Sequence, residues 1–153
     1  KSFGPRTEAR ADAGIMAATE FLKSELYLTL TAHPISGTPG VGLKDLSIAV
    51  GIELTELGLR SQAGESPYAE SYDLANSLIV QRVKPWHGIT GSSLEYGVHL
   101  EHGYWNVHTN SYVEPRPWMV PTFNRNRRRI MTAFKRGVKT AELTERVVKA
   151  AHV

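Results

Sequence analysis

The chain has 153 residues, 41% hydrophobic and 22% charged, with no cysteine and a formal net charge of +3. That length suits one domain over residues 1–153 with a sizeable core, burying roughly 70% of the unfolded surface. The missing cysteines exclude disulfide staples, thiolate metal sites and cysteine nucleophiles. No apolar run approaches the roughly 18 residues of a membrane span.

The charge is unevenly spread. Pro115 to Lys139 carries eight basic residues (Arg116, Arg125, Arg127, Arg128, Arg129, Lys135, Arg136, Lys139) and no acidic one, so residues 1–114 are net acidic. A basic element on an acidic body points to a polyanion or an acidic neighbouring surface.

In chain order, Thr7 to Thr31 reads as a first long helix. Its alanines favour that state, and Ile15, Ala18, Leu22, Leu26 and Leu30 recur at threes and fours to make one apolar stripe. His33 to Gly42 is a Pro- and Gly-rich loop, and Lys44 lacks the following Ser or Thr of a phosphate loop. Leu46 to Leu54 alternates as a strand would, although Lys44-Asp45-Leu46 equally suits the start of a short helix. Tyr68 to Asn76 is a turn of helix or a loop.

Ser77 to Lys84 is a β run rich in branched side chains, and Pro85 to Gly91 reads as a turn. Ser93 to Glu101 then alternates Tyr96, Val98 and Leu100 with polar neighbours, which predicts a second strand pairing with Ser77–Lys84 as a hairpin. Gly103 to Glu114 has no clean period and reads as an aromatic-bearing loop, a form that is functional or disordered in most compact domains. Pro115, Pro117 and Pro121 bracket Trp118 and Met119, and Pro121 suits the first turn of a helix. Thr122 to about Ala151 is the second long helix, with Phe123, Arg127, Ile130, Met131, Phe134, Val138 and Ala141 as its buried stripe and Gly137 as a weak point. Residues 142–153 either continue this helix or form a separate contact arm.

Three pieces fall in a familiar order: Asp73-Leu74 with Ser77-Leu78, then Tyr96 with Glu101 and Gly103, then Arg116-Pro117-Trp118-Met119 with Pro121. Together they resemble the siphophage neck and tail-completion family of head–tail joining proteins, the gene-product-ten-like family, over Glu70 to Arg136. The chain departs from the family pattern at Tyr72-Asp73, where a Thr-Gly is usual, and at His102 and Tyr104; Leu43 to Pro67 has no counterpart. The resemblance implies Asp73, Leu74, Ser77, Tyr96, Glu101, Gly103, Pro117 and Pro121 as structural motif positions. It also implies a small α+β subunit with no enzymatic activity. Such a subunit would assemble in the virion as a six-fold or twelve-fold homo-oligomeric ring. There it would contact connector, adaptor, stopper, tail terminator or tail tube proteins, with double-stranded DNA passing through non-specifically. Before assembly it would reside in the host cytoplasm.

The residues themselves offer little for catalysis or metal binding. On a strand, His99 and His102 face opposite sides and cannot chelate one ion without a bend. Ser93 follows Gly91-Ser92 but lacks the Gly-x-Ser-x-Gly of a nucleophile elbow. No catalytic residue, cofactor or metal ligand is therefore assigned. Trp118 reads either as a core plug fixing the helix start or as a side chain filling a pocket on the next subunit. Tyr104, Trp105, Tyr112, Arg116 and Trp118 are the expected subunit interface, since Trp and Arg are enriched at interface hot spots. Arg125, Arg128, Arg129, Lys135 and Arg136 read as a solvated face, a DNA-facing lumen or a contact to an acidic partner. The expected architecture is α+β: two long helices packed on an antiparallel sheet of three to five strands, in a ring-forming subunit. A small basic nucleic-acid-binding domain is the alternative, and a small hydrolase ranks third.

Overall fold

The computed structural model describes residues 4–31, 64, 66, 67 and 72–151. Over these the elements are α1 (Pro5–Thr31), α2 (Asp73–Asn76), β1 (Leu78–Lys84), β2 (His87–Ser92), α3 (Tyr96–His102), β3 (Tyr104–Asn106), β4 (Ser111–Val113) and α4 (Met119–Ala151). The two long helices stand where their periodicity places them, and α4 runs unbroken through the stretch read as a contact arm. No helix among the described residues is long and apolar enough to cross a membrane. The strand expected over Leu46 to Leu54 lies outside the described residues.

The chain divides into two compact units, and both long helices contribute to each. In the first unit (1–24, 79–91 and 126–153), α1 and α4 approach until glycine is the only residue that fits. A Cβ on Gly137 would lie 2.6 Å from the Ala13 carbonyl oxygen and 2.7 Å from Ala17 Cβ; one on Gly14 would lie 2.6 Å from Val138 Cγ2. Gly137, read from sequence as a weak point, is thus the contact that lets two backbones meet. The β1–β2 ribbon lies against α1 in the same way. A Cβ on Gly88, inside β2, would meet Ile15 Cγ2 at 2.8 Å and Thr19 Cγ2 at 2.9 Å, and Thr90 Oγ1 donates to the Thr19 carbonyl at 3.1 Å. Glycine inside a strand marks such close approaches.

The turn joining β1 and β2 is two residues, Pro85-Trp86, and not Pro85–Gly91. Proline presets its own φ, and Trp86 takes a left-handed φ of 66°. Its amide donates to Asp12 Oδ1 at 2.8 Å, while Arg82 pairs with the other oxygen of that carboxylate. This tie from α1 holds a large residue in a conformation that ordinarily favours glycine.

The second unit (25–78 and 92–125) is cored by Leu26, Leu30, Leu74, Ala75, Leu78, Trp118 and Thr122. The fully buried Thr122 hydroxyl bonds Thr29 Oγ1 at 3.0 Å. The buried row entering α4 therefore starts Trp118, Thr122, Asn126, so the first two positions of the expected stripe, Phe123 and Arg127, are displaced by one residue. Phe123 is 41% and Met131 55% exposed, and Arg127 is exposed, whereas Ile130, Phe134, Val138 and Ala141 are half-buried. Two satisfied polar residues at core positions hid the true row.

The antiparallel pairing expected of the fold is present. Among the described residues there are two separate two-stranded sheets, β1–β2 and β3–β4. Ser93–Glu101 is not the partner of β1, because Tyr96 to His102 is helical. Its apparent alternation leaves Tyr96 42% and Val98 63% exposed; the inward positions are Leu94, Gly97, Leu100 and Glu101, spaced at threes and fours. The stretch read as a loop, Gly103 to Glu114, is a hairpin with register Tyr104↔Val113, Trp105↔Tyr112 and Asn106↔Ser111. Asn106 Oδ1 accepts from the amides of His108 and Thr109, an Asx-turn that starts the reversal, and Asn110 takes the positive φ that finishes it.

The helix crossing makes a signed prediction. Gly137→Ala adds about 1 kcal/mol of helix propensity but forces a Cβ against backbone, an overpacking cost of about 1–3 kcal/mol. The melting temperature is expected to fall; a rise in thermal unfolding would contradict the close approach.

Candidate functional site

The second unit brings the three separated sequence motifs to one place, and Glu101 is its centre. The first amides of a helix lack intrahelical partners and carry partial positive charge. At the start of α4 these are taken by the Glu101 carboxylate, which comes from α3. Its Oε2 accepts from the amides of Trp118 at 2.7 Å and Met119 at 2.9 Å, and its Oε1 accepts from Val120 at 2.9 Å. Pro121 follows within the first turn, where no amide hydrogen is needed.

The same two segments are tied twice more. The Arg116 amide donates to the Leu100 carbonyl at 2.6 Å, and Trp118 Nε1 donates to the Gly97 carbonyl at 3.2 Å. Trp118 is 1% exposed. Its interface assignment is therefore corrected: the indole is a plug filled within its own chain and leaves no surface for a neighbour. Gly97 is buried, and a Cβ there would press on Leu74 Cδ1 at 3.1 Å. Leu74 comes from the first motif, and Ser77 closes the group by donating to the Leu74 carbonyl and sharing a 2.6 Å hydrogen bond with Ser92 Oγ. Burial, and then the negative charge of Asp73, raise the Tyr96 phenol above its ordinary value. The proline segment is also held from another side, as Gly64 N donates to the Pro115 carbonyl and Ser66 Oγ to that of Pro117.

From this knot the β3–β4 hairpin projects. Gly103 ends α3 at φ 75°, ψ 167°, and any Cβ there would collide with Tyr112, whose hydroxyl donates to the His102 carbonyl at 3.2 Å. Trp105 and Tyr112 stand opposite each other in register, 57% and 51% exposed, and Val107 at the tip is 76% exposed. Tyr104 is half-buried, its ring 5.4 Å from that of His99. Arg116 is half-buried, and its Nε has no hydrogen-bond partner among the described residues. Of the expected interface set, then, Trp105 and Tyr112 present surface, Tyr104 and Arg116 do so in part, and Trp118 does not.

His99 and His102 lie three residues apart on α3 and not on opposite faces of a strand. Among the described residues no group of three or more His, Cys, Asp or Glu is placed to hold a metal ion.

The first unit carries the basic face. On α4, Arg128, Lys135 and Arg136 are exposed; Arg125, also exposed, belongs to the second unit. Arg129 is different: its guanidinium sits 5.0 Å over the Phe21 ring and donates to Asn126 Oδ1 at 3.1 Å, so it braces α1 against α4. Sequence reading missed Ser92 and Gly97. Gly97 had a signal, since it falls in the three-and-four spacing Leu94, Gly97, Leu100, Glu101; Ser92 had none.

In comparisons with known proteins, no family model, no curated protein and no solved structure matches the chain.

The capping geometry predicts a large, local effect. Glu101→Ala leaves three amides uncapped and is expected to cost about 2 kcal/mol or more, measured by urea unfolding; a loss below about 0.5 kcal/mol would mean that the carboxylate is not the cap.

Proposed function

We propose that the chain is a structural virion subunit at a phage head–tail junction or the top of the tail, assembling as a ring around the DNA channel. It would join connector or stopper on one side to terminator or tail tube on the other. The role is mechanical, and no reaction is assigned to it. The observation that carries this reading is the aromatic hairpin. Trp105 and Tyr112 share an exposed register position at the end of a segment fixed by Glu101 and the buried Trp118. Rigid, half-exposed aromatics are what a protein–protein interface uses as anchors, and a monomer gains nothing from leaving them in water. The resemblance in motif order adds support, because Leu74, Ser77, Glu101, Gly103, Trp118 and Pro121 serve one shared knot and its two ends.

A second reading, a small basic nucleic-acid-binding domain, is favoured by the exposed cations Arg128, Lys135, Arg136 and Lys139 on α4. Phosphate-directed contacts from such a face are sequence-blind and salt-sensitive. Native mass measurement and negative-stain imaging separate the two. Rings, or incorporation into particles, are expected. The variant Trp105→Ala, with Tyr112 kept because its hydroxyl holds the hairpin base, should abolish assembly while lowering the melting temperature by no more than about 4 °C, because the indole is exposed and outside the core. A chain that stays monomeric, never enters particles and binds oligonucleotides tightly would establish the second reading instead.

A further inference from the structure

The N-terminal turns of α1 and the C-terminal turns of α4, both in the first unit, enclose an open cleft of about 780 Å³. Arg6 and Arg10 line one wall, and Arg146 and Lys149 line the other. Two of the four cations are partly neutralised. Arg10 donates from Nε and Nη2 to Glu145 Oε2 at 3.2 and 2.8 Å, and Arg146 donates to Glu142 Oε1 at 2.8 Å. Arg6 and Lys149 make no ion pair with the described residues. Four cations less two carboxylates leave the cleft at +2.

The cleft does not stand alone. Arg128, Lys135, Lys139 and Arg146 recur on α4 at intervals of seven, four and seven, which keeps them in one sector of the helix. All four are exposed, as is Lys149. At 1.5 Å per residue the row from Arg128 to Lys149 spans about 32 Å, close to one helical turn of duplex DNA at about 34 Å. A free phosphate compound would need the cleft alone. A row of this length leading into the cleft matches a polymer of phosphates.

We propose that the cleft formed by Arg6, Arg10, Arg146 and Lys149 is a phosphate clamp for the backbone of duplex DNA, closing one end of the cationic row on α4. This rests on the reading that DNA passes beside the subunit, and it names where the backbone is gripped. Arg6 and Lys149 make the contacts; Glu145 holds Arg10 across the opening from α4, and Glu142 pairs with Arg146 one turn away on α4 itself. The grip reads charge and not bases.

Fluorescence anisotropy with the full chain and a labelled duplex of roughly 30 base pairs, from about 50 to about 200 mM salt, tests it. The pair Arg6→Gln, Lys149→Gln removes two cations that make no hydrogen bond among the described residues, so the fold is kept and circular dichroism verifies it. Affinity should fall about tenfold or more, and the salt slope should shrink by about 1.8, at 0.9 per phosphate contact, equally for a scrambled duplex. Should that double variant misfold, the single variants carry the test, each expected to shrink the slope by about 0.9. If the cleft variants bind as the unsubstituted chain does while Arg128→Gln, Lys135→Gln weakens binding, the clamp is overturned and the row survives. If the chain fails to bind duplex but pyrophosphate raises its melting temperature, and does not raise that of the cleft variants, the site takes free polyphosphate and the proposal is equally overturned. Imaging of particles reads the virion role separately, since a chain that grips DNA through the cleft but never enters particles would lose that role alone.

Discussion

A carboxylate from a seven-residue helix caps a helix of 33 residues, and the second unit is arranged by that contact. Glu101 supplies a full negative charge where the N-terminus of α4 offers three unsatisfied donors, so both the hydrogen bonds and the helix dipole favour it. Neither partner could form this alone. A seven-residue helix is too short to persist in water without tertiary support, and the proline segment before α4 has no side-chain cap of its own. Docking each on the other brings Trp118 over Gly97 and completes the core on Leu74. The same docking sets where Gly103 ends α3 and therefore where the hairpin begins.

The tryptophans divide accordingly. Trp118 is consumed by its own chain, and Trp86 is fixed through its backbone amide to Asp12. Trp105, opposite Tyr112, is left on the surface of a hairpin whose base is held. Interfaces recruit such preordered aromatics because little side-chain entropy remains to be lost on binding. The proposed ring role rests on this contrast between a buried indole and an exposed one. In the first unit a different constraint operates. Glycines at 14, 88 and 137 let α1, the β1–β2 ribbon and α4 approach closely, which leaves the long cationic side chains of α4 to point outward.

Much of this was legible in the sequence, and the failures have identifiable causes. Both long helices followed from alanine content and spacing, and β1 from its branched run. α3 was misread because Tyr96, Val98 and Leu100 mimic a strand over five residues, a window too short to separate period two from three-and-four spacing. The signal that would have corrected it was the pair of glycines, Gly97 at the inward position and Gly103 as the stop. The β3–β4 hairpin was hidden by the four-residue reversal Val107 to Asn110, although Asn106 and Asn110 are the residues such a turn requires. The start of the buried row of α4 was misplaced because Thr122 and Asn126 are polar by composition but satisfied by partners far away in sequence or one turn on. Arg129 looked like one of a set until Phe21 claimed it. The role of Glu101 could not be read locally at all, since its partners lie 17 to 19 residues away.

Hydrogen–deuterium exchange, read on the free chain and again on the assembled form, tests the central claim that a carboxylate lock presents an aromatic hairpin to a partner. The amides of Trp118, Met119 and Val120 should be protected in both states, while those of Tyr104 to Val113 gain protection only on assembly. Rapid exchange at residues 118–120 in the free chain, or a hairpin whose exchange does not change on assembly, would contradict it.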